Sequence, residues 1–340
     1  MKKILVTGGA GFIGSHLFET LLRNDYKVRI LDNLSTGKKK NLEEVSGQSL
    51  TNLPNSTREP LLTSLGEQAE FLFGDISDLE TCRMACRGIA FVFHLAALGS
   101  VPRSVEDPIT SHRANATGTL TILQAAKEAK VERVIYASSS SVYGNISSLP
   151  DETVPKSETL APHPQSPYAA TKLMGEHYCR IFSDLYGLET VSLRYFNVFG
   201  PRQDPQSLYA AVIPKFISAL RKGISPIICG DGQQSRDFTY VENVVQANLL
   251  AMKKPGISGR VFNIACGRQT TVNTLFYSLQ EISGRPILPQ YEQPRRGDVR
   301  HSLASIDLAK THLGYTVKVE LEEGLKTTWK WFQEKGMGNI

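Results

Sequence analysis

Lys3-Ile4-Leu5-Val6-Thr7-Gly8-Gly9-Ala10-Gly11-Phe12-Ile13-Gly14 is the stretch that decides the fold. A short apolar and β-branched run, Lys3 to Thr7, ends directly in glycines, as a strand buried in a parallel sheet does. The glycines fall at 8, 11 and 14, and Ser15 to Arg23 continues as an amphipathic helix. Strand, tight turn and helix in that order make a G-x-x-G-x-x-G variant of the dinucleotide fingerprint. The glycines let the backbone come close to a pyrophosphate. The helix N-terminus offers it N–H groups and the positive end of a dipole. Gly8, Gly11, Phe12 and Ile13 are therefore candidate cofactor residues.

Tyr26 to Leu31 reads as a second strand that ends in Asp32. An acid there can bond the adenosine ribose hydroxyls and would repel a 2′-phosphate, so NAD is expected over NADP. Residues 33 to 66 are polar and turn-rich, with a short helix near Asn41–Val45, and read as a loop or weak insertion. Phe71-Leu72-Phe73-Gly74-Asp75-Ile76 is a third strand, followed by an acid within reach of an adenine. Ala90 to Ala97 is a fourth, with small residues at its carboxyl end, where a cofactor crosses a doubly wound sheet. His94 inside that run reads as a core histidine. Thr117 to Ala129 is a helix, with Asn115 at its start. Arg133 to Ser138 is a fifth strand running into a serine cluster, and Thr190 to Tyr195 is a sixth. After that, strand–helix alternation loosens over 209–240 and 267–340, as expected of a smaller second domain interleaved with the first.

Composition excludes several classes. The 340 residues suggest about two domains, and 41% hydrophobic with 21% charged residues describes an ordinary globular chain. A net charge of +5, with no basic block longer than Lys38-Lys39-Lys40, does not point to nucleic acid. No apolar run approaches membrane-spanning length, and the run after Lys3 is too short for a signal peptide. Five cysteines without a paired C-x-x-C fit a reduced, cytoplasmic setting and no metal site.

Tyr168-Ala169-Ala170-Thr171-Lys172 carries the chemistry. Tyr and Lys four apart share a helix face. An ammonium near a phenol stabilises the phenolate and lowers its pKa. A Tyr tuned in this way can take a proton from an alcohol while a hydride leaves the same carbon. A solvated helix face could carry the same pair, so the pattern gains its meaning from the rest of the chain.

Taken in order, the glycine motif, Asp32-Asn33-Leu34-Ser35-Thr36-Gly37, His94-Leu95-Ala96-Ala97, Ser139 with Tyr143-Gly144, Tyr168-x-x-x-Lys172 and Arg194-Tyr195-Phe196-Asn197 resemble the extended short-chain dehydrogenase/reductases acting on nucleotide sugars. The resemblance covers essentially the whole chain. Among these it looks most like the UDP-hexose 4-epimerases, and in particular like those acting on UDP-N-acetylglucosamine. Related dehydratases carry an Asp-Glu pair in the serine run, and related decarboxylases a Glu. Here Ser140 and Ser141 stand in that run.

The resemblance implies a Rossmann-type doubly wound parallel sheet over 1–196 plus about 238–266. It implies a smaller mixed α/β domain for the UDP-sugar over about 197–237 plus 267–340. It gives Tyr168 as the base for the sugar 4-hydroxyl, Ser139 as proton relay, and Lys172 as the residue that lowers the Tyr168 pKa and bonds the nicotinamide ribose. Hydride passes from C4 to NAD and returns to the opposite face of a 4-keto sugar. To the cofactor residues it adds Asn33, Ser35, Thr36, Gly37, Asp75, Ile76, Leu95, Ala96, Ala97, Asn115, Tyr195 and Val198. For the substrate it implies Gly99, Ser100, Val101, Ser139, Ser140 and Ser141 around the sugar. Asn197, Ala211, Val212, Cys229, Arg236, Arg295 and Asp298 would hold the UDP half, with the arginines on the pyrophosphate. Ser302 stands where a bulky Tyr lies in epimerases limited to non-acetylated sugars, which leaves room for an N-acetyl group. A homodimer built on the helices near Thr117–Ala129 and Ala169–Tyr186 also follows from the resemblance. A UDP-glucuronate 4-epimerase, or another UDP-sugar-modifying relative, is the alternative. A non-catalytic NAD-binding regulator fits less well, since Ser139, Tyr168 and Lys172 are all present.

Overall fold

The computed structural model describes residues 2–51, 59–145, 154–206, 211–294 and 300–335. Its strands are β1 Lys3–Thr7, β2 Lys27–Asp32, β3 Leu61–Ser64, β4 Ala69–Phe73, β5 Phe91–His94, β6 Arg133–Ser139, β7 Glu189–Tyr195, β8 Val198–Phe199, β9 Ile227–Cys229, β10 Ser235–Arg236, β11 Thr239–Tyr240, β12 Arg260–Ile264, β13 Thr270–Thr271, β14 Gln290–Glu292 and β15 His301–Ser302. Its α-helices are α1 Phe12–Arg23, α2 Lys39–Ser46, α3 Leu79–Cys86, α4 Val101–Glu106, α5 Pro108–His112, α6 Gly118–Glu128, α7 Pro167–Tyr186, α8 Val212–Lys222, α9 Val241–Lys253, α10 Val272–Ser283 and α11 Leu321–Lys335.

Eight strands form one sheet in the order β12-β7-β6-β5-β1-β2-β4-β3, parallel except for β3, which runs antiparallel to β4. From β1 the chain winds first toward β2 and β4, then back through β5, β6 and β7. The order therefore reverses between β1 and β5, where doubly wound folds hold their ligands. Apolar side chains fill both faces. Leu17, Phe18 and Leu21 of α1 and Val244 of α9 pack with one face, and Cys82, Ile122, Leu123 and Phe182 with the other. Cys82 and Cys86 are buried helix thiols, as read from the sequence.

The helix after the glycine turn begins at Phe12 rather than Ser15, so Gly14 lies inside it. The close packing explains why: a Cβ on Gly14 would stand 2.1 Å from the Gly8 carbonyl oxygen. The segment read as a loop with a short helix holds α2 and also β3, whose residues are largely exposed. An edge strand buries little, so it leaves no alternation to read. Helix α7 has clear local ends. Ser166 caps it by accepting from the Ala169 amide at 3.1 Å, Pro167 opens it, and Gly187 closes it at φ 69°.

A second, smaller layer is built from short pieces. β10 lies between β13 and β15 and pairs in parallel with β15, which sets Arg236 beside Ser302. Helices α8, α10 and α11 cover a separate core that includes Phe216, Phe276, Leu279 and Phe332. β12 returns to the large sheet beside β7. No helix among the described residues is long and apolar enough to cross a membrane.

Candidate functional site

A cleft of about 300 Å³ opens where the sheet order reverses. Its walls are the carboxyl ends of the central strands and the start of α1. Gly8 is held there at φ 71°, and a Cβ on it would lie 2.7 Å from the Ala96 amide nitrogen. The turn can therefore pass under the end of β5 only as glycine. No side chain caps the first turn of α1. Its free N–H end faces the cleft beside Gly11, Phe12 and Ile13.

Asp32 is buried at the end of β2. One carboxylate oxygen accepts from the Ala10 amide at 3.0 Å and the other from the Leu34 amide at 2.8 Å. Burial pushes its carboxyl up to about 6, against these two bonds. Asn33 donates to Asp75 at 2.9 Å, and the Ser77 amide donates to the same carboxylate at 2.7 Å. Burial tends to raise the Asp75 carboxyl, but these bonds outweigh it and hold it below its ordinary value. Ser35, Thr36, Gly37, Ile76, Leu95, Ala96 and Ala97 complete this half of the cleft. A dinucleotide's diphosphate and ribose would meet, in order, an uncapped helix end and a buried acid. The residues present thus fit NAD.

Tyr168 and Lys172 project from α7 at the other end of the cleft, beside Tyr195, Ala137 and Ser138. Lys172 is 4% exposed. Its ammonium donates to the Ala137 carbonyl at 2.8 Å, 5.9 Å from the centre of the Tyr168 ring. Burial lowers its pKa to about 8. The tuning expected of Tyr168 takes a different form here. Burial raises the phenol, a hydrogen bond with Ser139 lowers it, and the balance is upward. Lys172 spends its closest bond on a backbone carbonyl, so the phenol stays protonated at neutral pH in this arrangement.

The serine run divides its work. Ser138 donates to Glu176, Ser139 bonds Tyr168, and Ser141 donates to Ser139 through both its amide, at 3.2 Å, and its hydroxyl, at 2.9 Å. Ser140 opens the single 3₁₀ turn between Ser139 and Tyr143. His94 is the core residue expected. It is hydrogen-bonded with Thr7 at 2.8 Å and Thr119 at 3.0 Å, and burial keeps it neutral, with a pKa of about 3.

Asn115 and Val198 stand off the cleft wall. Asn115 accepts from the Leu98 amide at 2.7 Å and donates to Thr171 at 3.2 Å, so it braces the wall from behind. Val198 lies on β8, paired with Thr239. Gly99 reaches the cleft, whereas Ser100 caps α4 at φ 132° and Val101 is its first residue. Asn197 donates to the Asp237 carbonyl at 3.0 Å. Ala211 and Val212 start α8, and Cys229 ends β9. Arg236 donates to the Ser235 carbonyl at 2.9 Å and the Arg300 carbonyl at 3.2 Å. Ser302 is buried. Arg295 and Asp298 lie outside the described residues.

Three groups escaped the sequence reading. Gly74 just after β4, Leu98 in the loop after β5 and Ala114 in the helical turn Arg113–Thr117 also line the cleft, as small or apolar residues that carry no chemical signal. Glu176, one turn beyond Lys172, forms a buried ion pair with Arg194 at 2.7 Å. Its i+4 spacing was visible, but its partner on β7 was not. Asp237, fully buried, gathers the amides of Cys266 and Gly267 at 2.9 Å each and that of Ala304 at 3.3 Å. Nothing local in the sequence marks it as the tie between two loops. No cluster of metal-ligating side chains occurs among the described residues.

Comparison with known proteins agrees with this geometry. The NAD dependent epimerase/dehydratase family matches residues 4–265. The solved UDP-glucose 4-epimerase of Thermotoga maritima, in complex with UDP-glucose, is 41% identical with a TM-score of 0.86, over 98% of this chain and 99% of that one. A UDP-N-acetylglucosamine 4-epimerase from Methanobrevibacter ruminantium, in complex with UDP-N-acetylmuramic acid, is 40% identical with a TM-score of 0.86 over the same shares. The UDP-glucose 4-epimerase of Mycolicibacterium smegmatis is 36% identical over 335 residues, 98% of this chain and 99% of that protein. The chain belongs to the NAD dependent epimerase/dehydratase family, on its UDP-sugar 4-epimerase branch, with NAD as its cofactor.

Proposed function

We propose that this enzyme interconverts UDP-N-acetylglucosamine and UDP-N-acetylgalactosamine, with lesser activity on UDP-glucose and UDP-galactose. One observation carries the choice of sugar: the small side chain of Ser302, buried on β15 beside Arg236. In the relatives that the sequence resembles, a Tyr at this position closes the space beside the sugar's C2. A Ser removes a whole ring and leaves room for an acetamido group. Gly99, at the edge of the cleft, has the same small character. The decisive measurement is kcat/KM for both substrate pairs in the wild type and in Ser302→Tyr. Overfilling a formed pocket costs about 1–3 kcal/mol. Ser302→Tyr should therefore lose roughly ten- to a hundredfold on the acetylated pair and far less on the other. A wild type that turns over only the non-acetylated pair, or only a uronate, would overturn this choice.

In the same proposal Tyr168 takes the proton of the sugar 4-hydroxyl, Ser139 relays it and Lys172 supports the phenolate. When bound, NAD accepts and returns the hydride, and its cationic nicotinamide ring supplies the charge that a phenolate needs. The serine chain Ser141–Ser139–Tyr168 supports a short proton path at the end of the cleft. Residues 1–196 with about 238–266 would serve the cofactor, and about 197–237 with 267–340 the UDP-sugar. The return of β12 to the main sheet supports that division. Exposed Ile181, Leu185 and Tyr186 on α7 support a homodimer through α6 and α7, which sedimentation would test.

A further inference from the structure

Helix α7 carries a third buried group that no step above uses. Tyr168, Lys172 and Glu176 stand at successive i, i+4 positions. Each meets β6 at a neighbouring residue: Tyr168 at the Ser139 hydroxyl, Lys172 at the Ala137 carbonyl and Glu176 at the Ser138 hydroxyl. Glu176 is 6% exposed and Arg194 3%. Arg194 closes on the carboxylate with Nε at 2.8 Å and Nη2 at 2.7 Å, one bond to each oxygen. Two charge-assisted bonds in this fork satisfy both carboxylate oxygens inside the core. The Tyr143 ring covers the guanidinium at 4.6 Å, and Asn263 holds the Tyr143 hydroxyl at 2.8 Å.

We propose that Glu176, paired with Arg194, is a positioning residue that holds Lys172 in its charged form beside Tyr168. The inference rests on the reading of Tyr168 and Lys172 as the reacting pair. Burial drives Lys172 toward the neutral amine, and Glu176 opposes it. The other titratable groups facing Lys172 cannot do so. Cys179, on the same helix, is pushed up to about 12 by burial and stays a thiol. Tyr136 of β6, its ring centre 5.2 Å from the ammonium, is raised and protonated for the same reason. His94 of β5 is neutral, and Tyr168 is itself raised. Among the described residues this leaves Glu176 as the one anion acting on Lys172.

The test compares wild type, Glu176→Gln and the double variant Glu176→Gln/Arg194→Gln. The single variant strands a buried guanidinium and is expected to fold poorly. The double variant removes both charges together. The Lys172 midpoint is read directly from the titration of its 13C-labelled ε-carbon, identified by its loss in Lys172→Met. The kcat profile is read between pH 6 and 10. Removing the anion lowers the pKa of a cation, and removing Arg194 raises it. Because Glu176, and not Arg194, is among the charges acting on Lys172, the midpoint and the alkaline limb of kcat should both still move down in the double variant, by up to about one pH unit, with KM unchanged. An unmoved midpoint in the folded double variant overturns the proposal. So does a loss of kcat that is uniform in pH and tracks the melting temperature. A wild type that turns over no UDP-sugar would defeat the proposed function instead, and the NMR midpoint would still decide this inference.

Discussion

The cofactor cleft and the small layer that carries Arg236 and Ser302 are built by opposite means. The cleft stands on four- to seven-residue strands of one parallel sheet, and its key residues follow one another along a strand, a turn and a helix. The small layer has strands of two or three residues. It is tied together by Asp237, which bonds loops far away in sequence. The first region depends on close backbone packing that a continuous sheet supplies. The second depends on a buried charge with satisfied partners, so damage at one point should spread through the whole layer.

The largest effect should fall in the first region and leave the second untouched. Tyr168→Phe removes the hydroxyl that bonds Ser139 but keeps the ring that lines the cleft. Loss of a positioned base costs about 10²–10⁴-fold in rate. Turnover should fall by that much, while NAD content and UDP-sugar affinity stay at wild-type levels. Near-normal turnover in the variant would remove Tyr168 from the reaction.

Asp237→Asn should produce the reverse pattern. An amide offers one acceptor oxygen where the carboxylate offers two, and its NH₂ would face backbone donors. Hydrogen bonds to a charged group are worth about 1.5–3 kcal/mol each. Unfolding in denaturant should show a loss of about 2 kcal/mol or more. KM for the UDP-sugar should rise roughly tenfold, which is about 1.4 kcal/mol of binding. Bound NAD should not change. If NAD is lost in step with sugar affinity, the two regions are not separable in this way.

The same contrast explains what could be read from the chain alone. The glycine turn, Asp32 and the Tyr168–Lys172 spacing are local patterns, and the structure gathers nearly all of them on one cleft. Their electrostatics were not legible. The Ala137 carbonyl that holds the Lys172 ammonium, and the Ser139 hydroxyl that opposes the upward effect of burial on the Tyr168 phenol, come from β6, some thirty residues earlier. In the small layer even placement was hidden. Two-residue strands carry no period, and the pairing of Arg236 with Ser302 joins residues 66 positions apart. Asp237 looks like any turn acid until the Cys266, Gly267 and Ala304 amides close on it.

The smallest effect is a pH dependence, and it also separates the regions, because each holds an acid whose carboxyl is pushed up by burial. Burial pushes Asp32 up to about 6 and Asp237 up to about 7, in both cases against bonds from backbone amides. In each, the folded pKa lies above the unfolded value. The folded chain therefore binds protons more tightly, and stability from these groups declines as pH rises through the window from about 4 to 7. Binding has the opposite sign. The ionised Asp32 is the form that accepts the ribose hydroxyls, so NAD affinity should fall as pH drops through about 6. The loss should be roughly twofold at pH 6 and approach tenfold at pH 5, as the carboxylate disappears. Measured on the stripped protein without UDP-sugar, this fall reports Asp32 alone, since Asp237 belongs to the other layer. Asp32→Asn should bind NAD more weakly at pH 7 and show a level profile down to pH 5. A slope that persists in Asp32→Asn would belong to another group and would take the proton-sensitive step out of the cofactor cleft.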